Sequence, residues 1–258
     1  MLAKEFKPMH KYDLVRVGRN NDGGYLIEKQ SFLKSNCLVS FGIGYDWSFE
    51  RDFFNHRKVP IHCYDHTLKY SHIKKFSRNS LLSLFKPIMW NSNGLKKIKN
   101  NIFLYKDYKN FFKGDIMHFR SAIGLGSNRI RLGEIFERIK HTPIFLKIDI
   151  EGSEYRILDE IIELQNFICG MVIEFHDIDL HEEKILKFIN NFKLKLVHVH
   201  GQNSGGRQYL TSSGDPILLE MTFSNVEDFL DMNPQIPHDL DQASDPRFED
   251  ITLSFNVK

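Results

Sequence analysis

Cys37-Leu-Val-Ser-Phe-Gly-Ile-Gly44 is the stretch on which the fold turns. A mostly apolar run of strand length ends in two glycines, and a helical pattern begins close behind them, near Ser48. Glycines at such a turn let the backbone approach a ligand closely, beside the positive end of the following helix. Outward from this point, further apolar runs bounded by turn residues lie at Ile61 to Tyr64, Ile144 to Ile150 and Met171 to Phe175, and they read as strands buried on both faces. Helical patterns separate them, from Ser48 to Phe54, Leu132 to Ile139 and Glu154 to Leu164. That alternation predicts a mostly parallel sheet with helices on both faces. Leu194 to His200 and Pro216 to Phe223 flank the Gly-rich GQNSGGRQ, so the sheet is expected to end in an antiparallel hairpin.

The 258 residues, 26% charged and 41% hydrophobic, suit one large domain over 1–258, with an N-terminal arm at 1–36 and an insertion at about 66–116. Charges nearly cancel at +2, which argues against a global basic field and against nucleic acid as a partner. The cancellation is uneven. From His66 to Ile116 there are 11 basic against two acidic side chains, and from Glu227 to Asp250 eight acids face one Arg. Three cysteines, Cys37, Cys63 and Cys169, with no CxxC, fit neither a disulfide framework nor a four-cysteine zinc site. With no signal-like start and no membrane-length apolar run, the expectation is a soluble cytoplasmic protein.

Two constellations carry chemistry. Asp65 ends the second strand 21 residues beyond Gly44, where a carboxylate accepts from both hydroxyls of a ribose. Position 47, where a dinucleotide fingerprint has its third glycine, is Trp47, so an adenosine-containing ligand without a pyrophosphate is favoured over NAD. The second is Phe145-Leu-Lys-Ile-Asp149-Ile-Glu151-Gly152-Ser-Glu154, where acids follow a buried strand at the edge on which open α/β sheets collect ligands. An N-cap accounts for one of these acids. Asp149, closing an apolar run, calls for a functional explanation.

These residues resemble a known family. KIDIEGSEYRIL (Lys147 to Leu158) is similar to the KIDxEG motif of FkbM-type S-adenosylmethionine-dependent methyltransferases, and VIEFH (Val172 to His176) resembles the strand that follows it. LVHVHGQN (Leu196 to Asn203), PILLEMTF (Pro216 to Phe223) and GRNNDGGYLI (Gly18 to Ile27) also look like segments of this group. The resemblance implies a Rossmann-like class I methyltransferase fold with a seven-stranded sheet. It implies S-adenosylmethionine held by Gly42, Gly44, Asp65 and Asp149, with Ser121 and Ala122 of RSAIG near the adenine. Ser40 stands where many methyltransferases have an acid before the first glycine; Asp22, with Gly23, is placed either to replace it or simply to form a hairpin turn.

For methyl transfer to oxygen the protein must orient the acceptor and take its proton. Asp149 or His176 is the expected base, with His200 orienting the acceptor and Glu151 and His198 contacting it. His198 and His200, two apart, share one face of their strand. The same His and Asp side chains also suit a divalent metal, a reading less favoured because no local ligand motif is present. In the basic insertion, Lys74 and Lys75 with interleaved Tyr70, Phe76, Leu81, Leu82, Leu84, Phe85 and Trp90 form either a solvated helical face or a lid over an anionic acceptor. The expected activity is O-methylation of a sugar hydroxyl on a nucleotide-linked or phosphorylated carbohydrate, in bacterial surface-polysaccharide or capsule assembly. The alternatives are an NAD-dependent oxidoreductase and a non-catalytic cofactor-binding protein of the same fold.

Overall fold

A computed structural model describes residues 1–83, 103–127, 129–203 and 210–256. Its centre is the strand read first from the sequence. β3 (Cys37–Phe41) lies between β4 (Ile61–Tyr64) and β8 (Ile144–Ile148), parallel to both. With β5 (Ile116–Phe119), β9 (Ile168–Phe175), β10 (Lys195–Gly201) and β11 (Leu219–Ser224) they form a seven-stranded sheet in the order β10-β11-β9-β8-β3-β4-β5, while β6 (Ala122–Ile123) and β7 (Arg129–Ile130) pair apart from it. β11 runs antiparallel to both neighbours, and the other pairs are parallel. The strand order turns between β3 and β8, so the ends of these two strands open the crevice in which ligands of such sheets bind.

Alternation along the strands sorts the two faces. Cys37, Val39 and Phe41 of β3, Ile144, Leu146 and Ile148 of β8, and Met171, Ile173 and Phe175 of β9 join one apolar cluster. It is covered by α5 (Leu132–Arg138), α6 (Leu158–Leu164) and α7 (Ile178–Asn191) through side chains such as Ile135, Ile161, Ile185 and Phe188. Burying each of these large residues stabilises the fold by roughly 1.5–3 kcal/mol. The opposite face carries Leu38 and Phe145 under α1 (Lys29–Lys34) and α2 (Ser48–Arg57), but it also carries Ser40, Lys147, Glu174, Glu220, Thr222 and Ser224, all buried. The runs read as apolar on both sides are therefore apolar on one face, with buried polar groups among the residues of the other.

That polar face is roofed by an antiparallel hairpin, β1 (Leu14–Gly18) and β2 (Gly24–Glu28). Glu28 receives Gln30 N and Ser31 N, each at 2.7 Å, capping α1, and also receives Ser224 Oγ at 2.9 Å, which ties the hairpin to β11. Asn21 at the hairpin tip is held by the C-terminal segment: its backbone N donates to Gln242 Oε1 at 2.9 Å and its amide to Ala243 O at 2.8 Å. The helical pattern from Glu154 to Leu164 is in fact a short 3-10 turn at Glu154–Arg156 followed by α6. Of the basic insertion, α3 (Tyr70–Ser83) and α4 (103–111) are described. Asp107 on α4 receives Trp47 Nε1 at 2.9 Å and Arg51 Nη2 at 2.5 Å, fastening the insertion to α2. Leu84, Phe85 and Trp90, with Lys86, Lys96, Lys97 and Lys99, lie outside the described residues.

Candidate active site

The turn after β3 is built for close approach. Gly42 has φ +75°, and a Cβ there would lie 1.6 Å from the carbonyl oxygen of Asp149, so no other residue lets the β3 and β8 ends meet. Gly44, at φ +48°, faces open space. Beyond these glycines opens a cleft of about 470 Å³, within the range of small-molecule sites. Asp22, Gly23, Gly42, Gly44, Asp65, Ser121, Ala122, Asp149, Glu151 and His176, all singled out from the sequence, line it.

Asp65 reaches the cleft but spends both oxygens on its own surroundings. Oδ2 accepts from Ile43 N at 3.1 Å and Gly44 N at 2.8 Å; Oδ1 accepts from Thr67 N at 2.7 Å, Thr67 Oγ1 at 2.6 Å and Leu68 N at 3.2 Å. Burial raises its pKa, but the Thr67 hydroxyl and the backbone donors outweigh it and hold the carboxyl below the usual range. In this conformation Asp65 fixes the glycine turn against β4. An Asp side chain is too short to reach past its own loop while so engaged.

The acid nearest Ser40 comes from a helix rather than from β3. Glu50 of α2 is buried beside it and accepts the Ser40 hydroxyl at 2.5 Å, its second oxygen having no hydrogen-bond partner among the described residues. Burial raises the Glu50 pKa, partly countered by Lys147 and the Ser40 bond. Asp22 sits more openly, paired with Arg19 at 3.3 Å, and Arg19 also reaches Asp46 at 2.9 Å. The NNDGG segment is thus both a hairpin turn and part of the cleft wall.

Lys147 is the cation at the centre. Buried in β8, its ammonium donates to Gly42 O and lies 3.7 Å from Asp149 Oδ2, with the Tyr25 ring 5.7 Å away. Burial lowers its pKa, but Asp149, Glu50 and Glu174 together raise it above the ordinary value, so it stays charged. Glu174, one strand over, is driven well above the usual carboxylate range by burial and by Asp149 and Glu220. Sequence reading did not single out Glu50, Lys147 and Glu174, which also line the cleft. The signal was present: a charged residue inside an otherwise apolar run, or on the buried stripe of an amphipathic helix, is rare without a role.

His176 closes the cleft wall at the end of β9. Its backbone N donates to Glu154 Oε1 at 2.8 Å, and its Nδ1 lies 3.2 Å from the same oxygen. Burial lowers its pKa, but the Glu154 hydrogen bond and the charges of Glu154, Asp149 and Glu151 raise it overall. Nε2 is left facing Glu151 Oε2 and Glu174 Oε1, each 3.5 Å away.

His198 and His200 are not brought to this wall. They are buried on β10, stacked 6.5 Å apart, with His198 Nε2 2.9 Å from Asp241 and His200 Nε2 3.0 Å from Asp250. Both partners belong to the acidic stretch near the C-terminus, which therefore lies against the two buried imidazoles. Lys74 and Lys75 are exposed on α3, outside the cleft lining.

A seven-stranded sheet in this order, with β11 antiparallel and a glycine turn bordering a cleft at its switch point, defines a Rossmann-like class I methyltransferase fold. The family model described as Methyltransferase FkbM domain matches residues 103–233, half of the chain, and the chain belongs to that family. It is an S-adenosylmethionine-dependent methyltransferase, which disfavours the nicotinamide-dependent alternative. Solved structures similar to the chain include an rRNA methylase from Streptococcus thermophilus (11% identity, 75% of this chain and 92% of that one, TM-score 0.38). Another is M. capricolum TrmK in complex with S-adenosylhomocysteine (10%, 82% and 70%, TM-score 0.38). A third is the Methanococcus jannaschii fibrillarin pre-rRNA processing protein (10%, 84% and 84%, TM-score 0.38). No curated protein matches the chain. Among the described residues no helix is long and apolar enough to cross a membrane.

Proposed function

We propose that this methyltransferase acts on oxygen, methylating a sugar hydroxyl of a nucleotide-linked or phosphorylated carbohydrate during assembly of a bacterial surface polysaccharide or capsule. The observation that carries this reading is the wall formed by Asp149, Glu151 and His176, which border one cleft with the glycine turn. A sugar hydroxyl is a weak acid, so its attack on a methyl group needs an oriented acceptor and a base. The turn Gly42–Gly44 and the segment Ser121–Ala122 suit the cofactor, with Asp22 and Gly23 of the hairpin over it. The cofactor supplies an electrophilic methyl group. The acceptor oxygen forms its bond to the methyl carbon as the carbon–sulfur bond breaks, and the hydroxyl proton passes to Asp149 or His176. Confinement of the basic surplus to 66–116 favours a small anionic acceptor over nucleic acid.

The test is methyl transfer to a panel of nucleotide sugars by wild type, His176→Ala and Asp149→Asn. Each variant is expected to lose about 100-fold or more in kcat on an accepted sugar, the scale of general base catalysis. Full activity in both variants removes the proposed roles of these residues. Turnover on RNA with none on any sugar removes the carbohydrate assignment.

A further inference from the structure

We propose that the cleft wall is a binding site for a divalent cation of the magnesium or manganese type, ligated by Asp149, Glu151 and His176. One ligand atom from each of these side chains lies within 4.8 Å of the others. Ligands about 2.0–2.3 Å from a shared ion stand at most about 4.6 Å apart when opposite and about 3 Å apart when adjacent, so the three side chains close on an ion by small side-chain rotations. Glu151, whose side chain is 88% exposed, is free to make that adjustment.

The surroundings of His176 point independently to a ligand. Glu154 is completely buried and receives both the His176 backbone N and, at 3.2 Å, its Nδ1. A carboxylate that takes the Nδ1 proton fixes the tautomer and turns the Nε2 lone pair outward, the arrangement found behind metal-bound histidines. Here Nε2 makes no hydrogen bond among the described residues and faces two carboxylate oxygens, Glu151 Oε2 and Glu174 Oε1, at 3.5 Å each. The Glu174 side chain is more than nine-tenths buried, is aimed at this point, and accepts no hydrogen bond among the described residues. Lys147 and the Tyr25 hydroxyl, 3.7 Å and 3.4 Å from Asp149 Oδ2, serve Asp149, whereas Glu151 and Glu174 meet the Nε2 side of His176 with no hydrogen bond among the described residues, a convergence that a cation would satisfy.

The donor set selects the ion. Carboxylate oxygens with a single imidazole suit magnesium or manganese; no thiolate is present to favour a softer metal. Three protein ligands leave coordination positions for water or substrate oxygen. A hydroxyl bound there becomes more acidic, and since the ion takes the His176 Nε2 lone pair, the hydroxyl proton would pass to the carboxylate oxygen of Asp149 that does not ligate the cation, leaving the acceptor oxygen directed toward the cofactor end of the cleft. Cation binding stands on this geometry alone, whereas the role in acceptor activation rests on the O-methyltransferase reading above.

The experiment is a manganese titration of the full chain after treatment with a chelator, followed by electron paramagnetic resonance. S-adenosylhomocysteine is titrated in parallel into chelator-treated protein by calorimetry. The expected result is one saturable Mn²⁺ per chain, with affinity reduced at least about tenfold in Glu151→Gln and in Asp149→Asn. Glu154→Gln, a change behind the ligands, is expected to weaken Mn²⁺ about tenfold or more while the imidazole itself remains. S-adenosylhomocysteine affinity in wild type should be unaffected by the chelator. Wild-type protein that binds S-adenosylhomocysteine but takes up no Mn²⁺ at about 1 mM, a very weak affinity, overturns the cation site and leaves the methyltransferase intact. Mn²⁺ affinity unchanged in Glu151→Gln, a substitution at an exposed side chain that leaves the core untouched, overturns the ligand assignment. Mn²⁺ binding with no methyl transfer to any sugar keeps the site and removes its assigned role.

Discussion

Lys147 governs the interior of the cleft, because its ammonium is the buried positive charge around which Glu50, Asp149 and Glu174 are arranged. Removing one member of such a group leaves the rest uncompensated in a low-dielectric setting, a larger cost than the group's net contribution when complete. Lys147→Met, which keeps much of the side-chain length, is therefore expected to cost about 3–5 kcal/mol, read as a fall in the urea midpoint. A midpoint within experimental error of wild type would show that the acids are neutralised without it. The sequence displayed this lysine within an apolar strand but gave no hint of its partners. Glu50 comes from α2 and Glu174 from a strand 27 residues on, and only folding brings them to one point.

At the scale of elements, the C-terminal segment binds β10 to the hairpin roof. It supplies Asp241 and Asp250 to the two β10 histidines and Gln242 and Ala243 to the hairpin tip. Asn203 adds to the clasp, accepting from Asp245 N at 2.7 Å and donating to Glu249 O at 3.0 Å. Burial lowers the His200 pKa, but hydrogen bonds to Asp250 and Glu220, with Asp241 nearby, raise it to about 10. A raised folded-state pKa means the contribution is complete below the unfolded value of about 6.5 and disappears as pH climbs through about 10. The unfolding free energy from denaturant titrations should thus fall between pH 7 and pH 10, by an amount on the order of a few kcal/mol, and His200→Gln should flatten that slope. An unchanged slope in the variant would assign the pH dependence to other groups. Sequence spacing correctly placed His198 and His200 on one face, and it located the acidic stretch. That the two meet, and that they do so away from the cleft lining, depends on a chain reversal that no local pattern encodes.

For the molecule as a whole, one face of the sheet is an apolar core and the other is a polar floor beneath a roof, so ligand binding couples to the fold through the roof. A ligand at about 100 times its Kd stabilises the native state by about 2.7 kcal/mol, which for a chain of this size raises Tm by roughly 5–10 °C. S-adenosylhomocysteine is expected to produce that rise and NAD none; equal shifts with both would contradict the cofactor assignment. The sequence by itself determined the strand–helix alternation, the glycine turn after β3 and the KIDIEG segment, because periodicity, backbone freedom and local motifs are properties of neighbouring residues. It thereby determined the fold class and pointed to ten of the residues that border the cleft. The tertiary structure alone decided that Glu50 lies buried beside Ser40, that Asp65 is engaged by its own turn, and that His176 rather than His200 reaches the cleft. Those outcomes depend on side-chain reach and on burial between elements distant in the chain. Charge and hydrogen-bond energies depend on distances that a linear pattern does not contain.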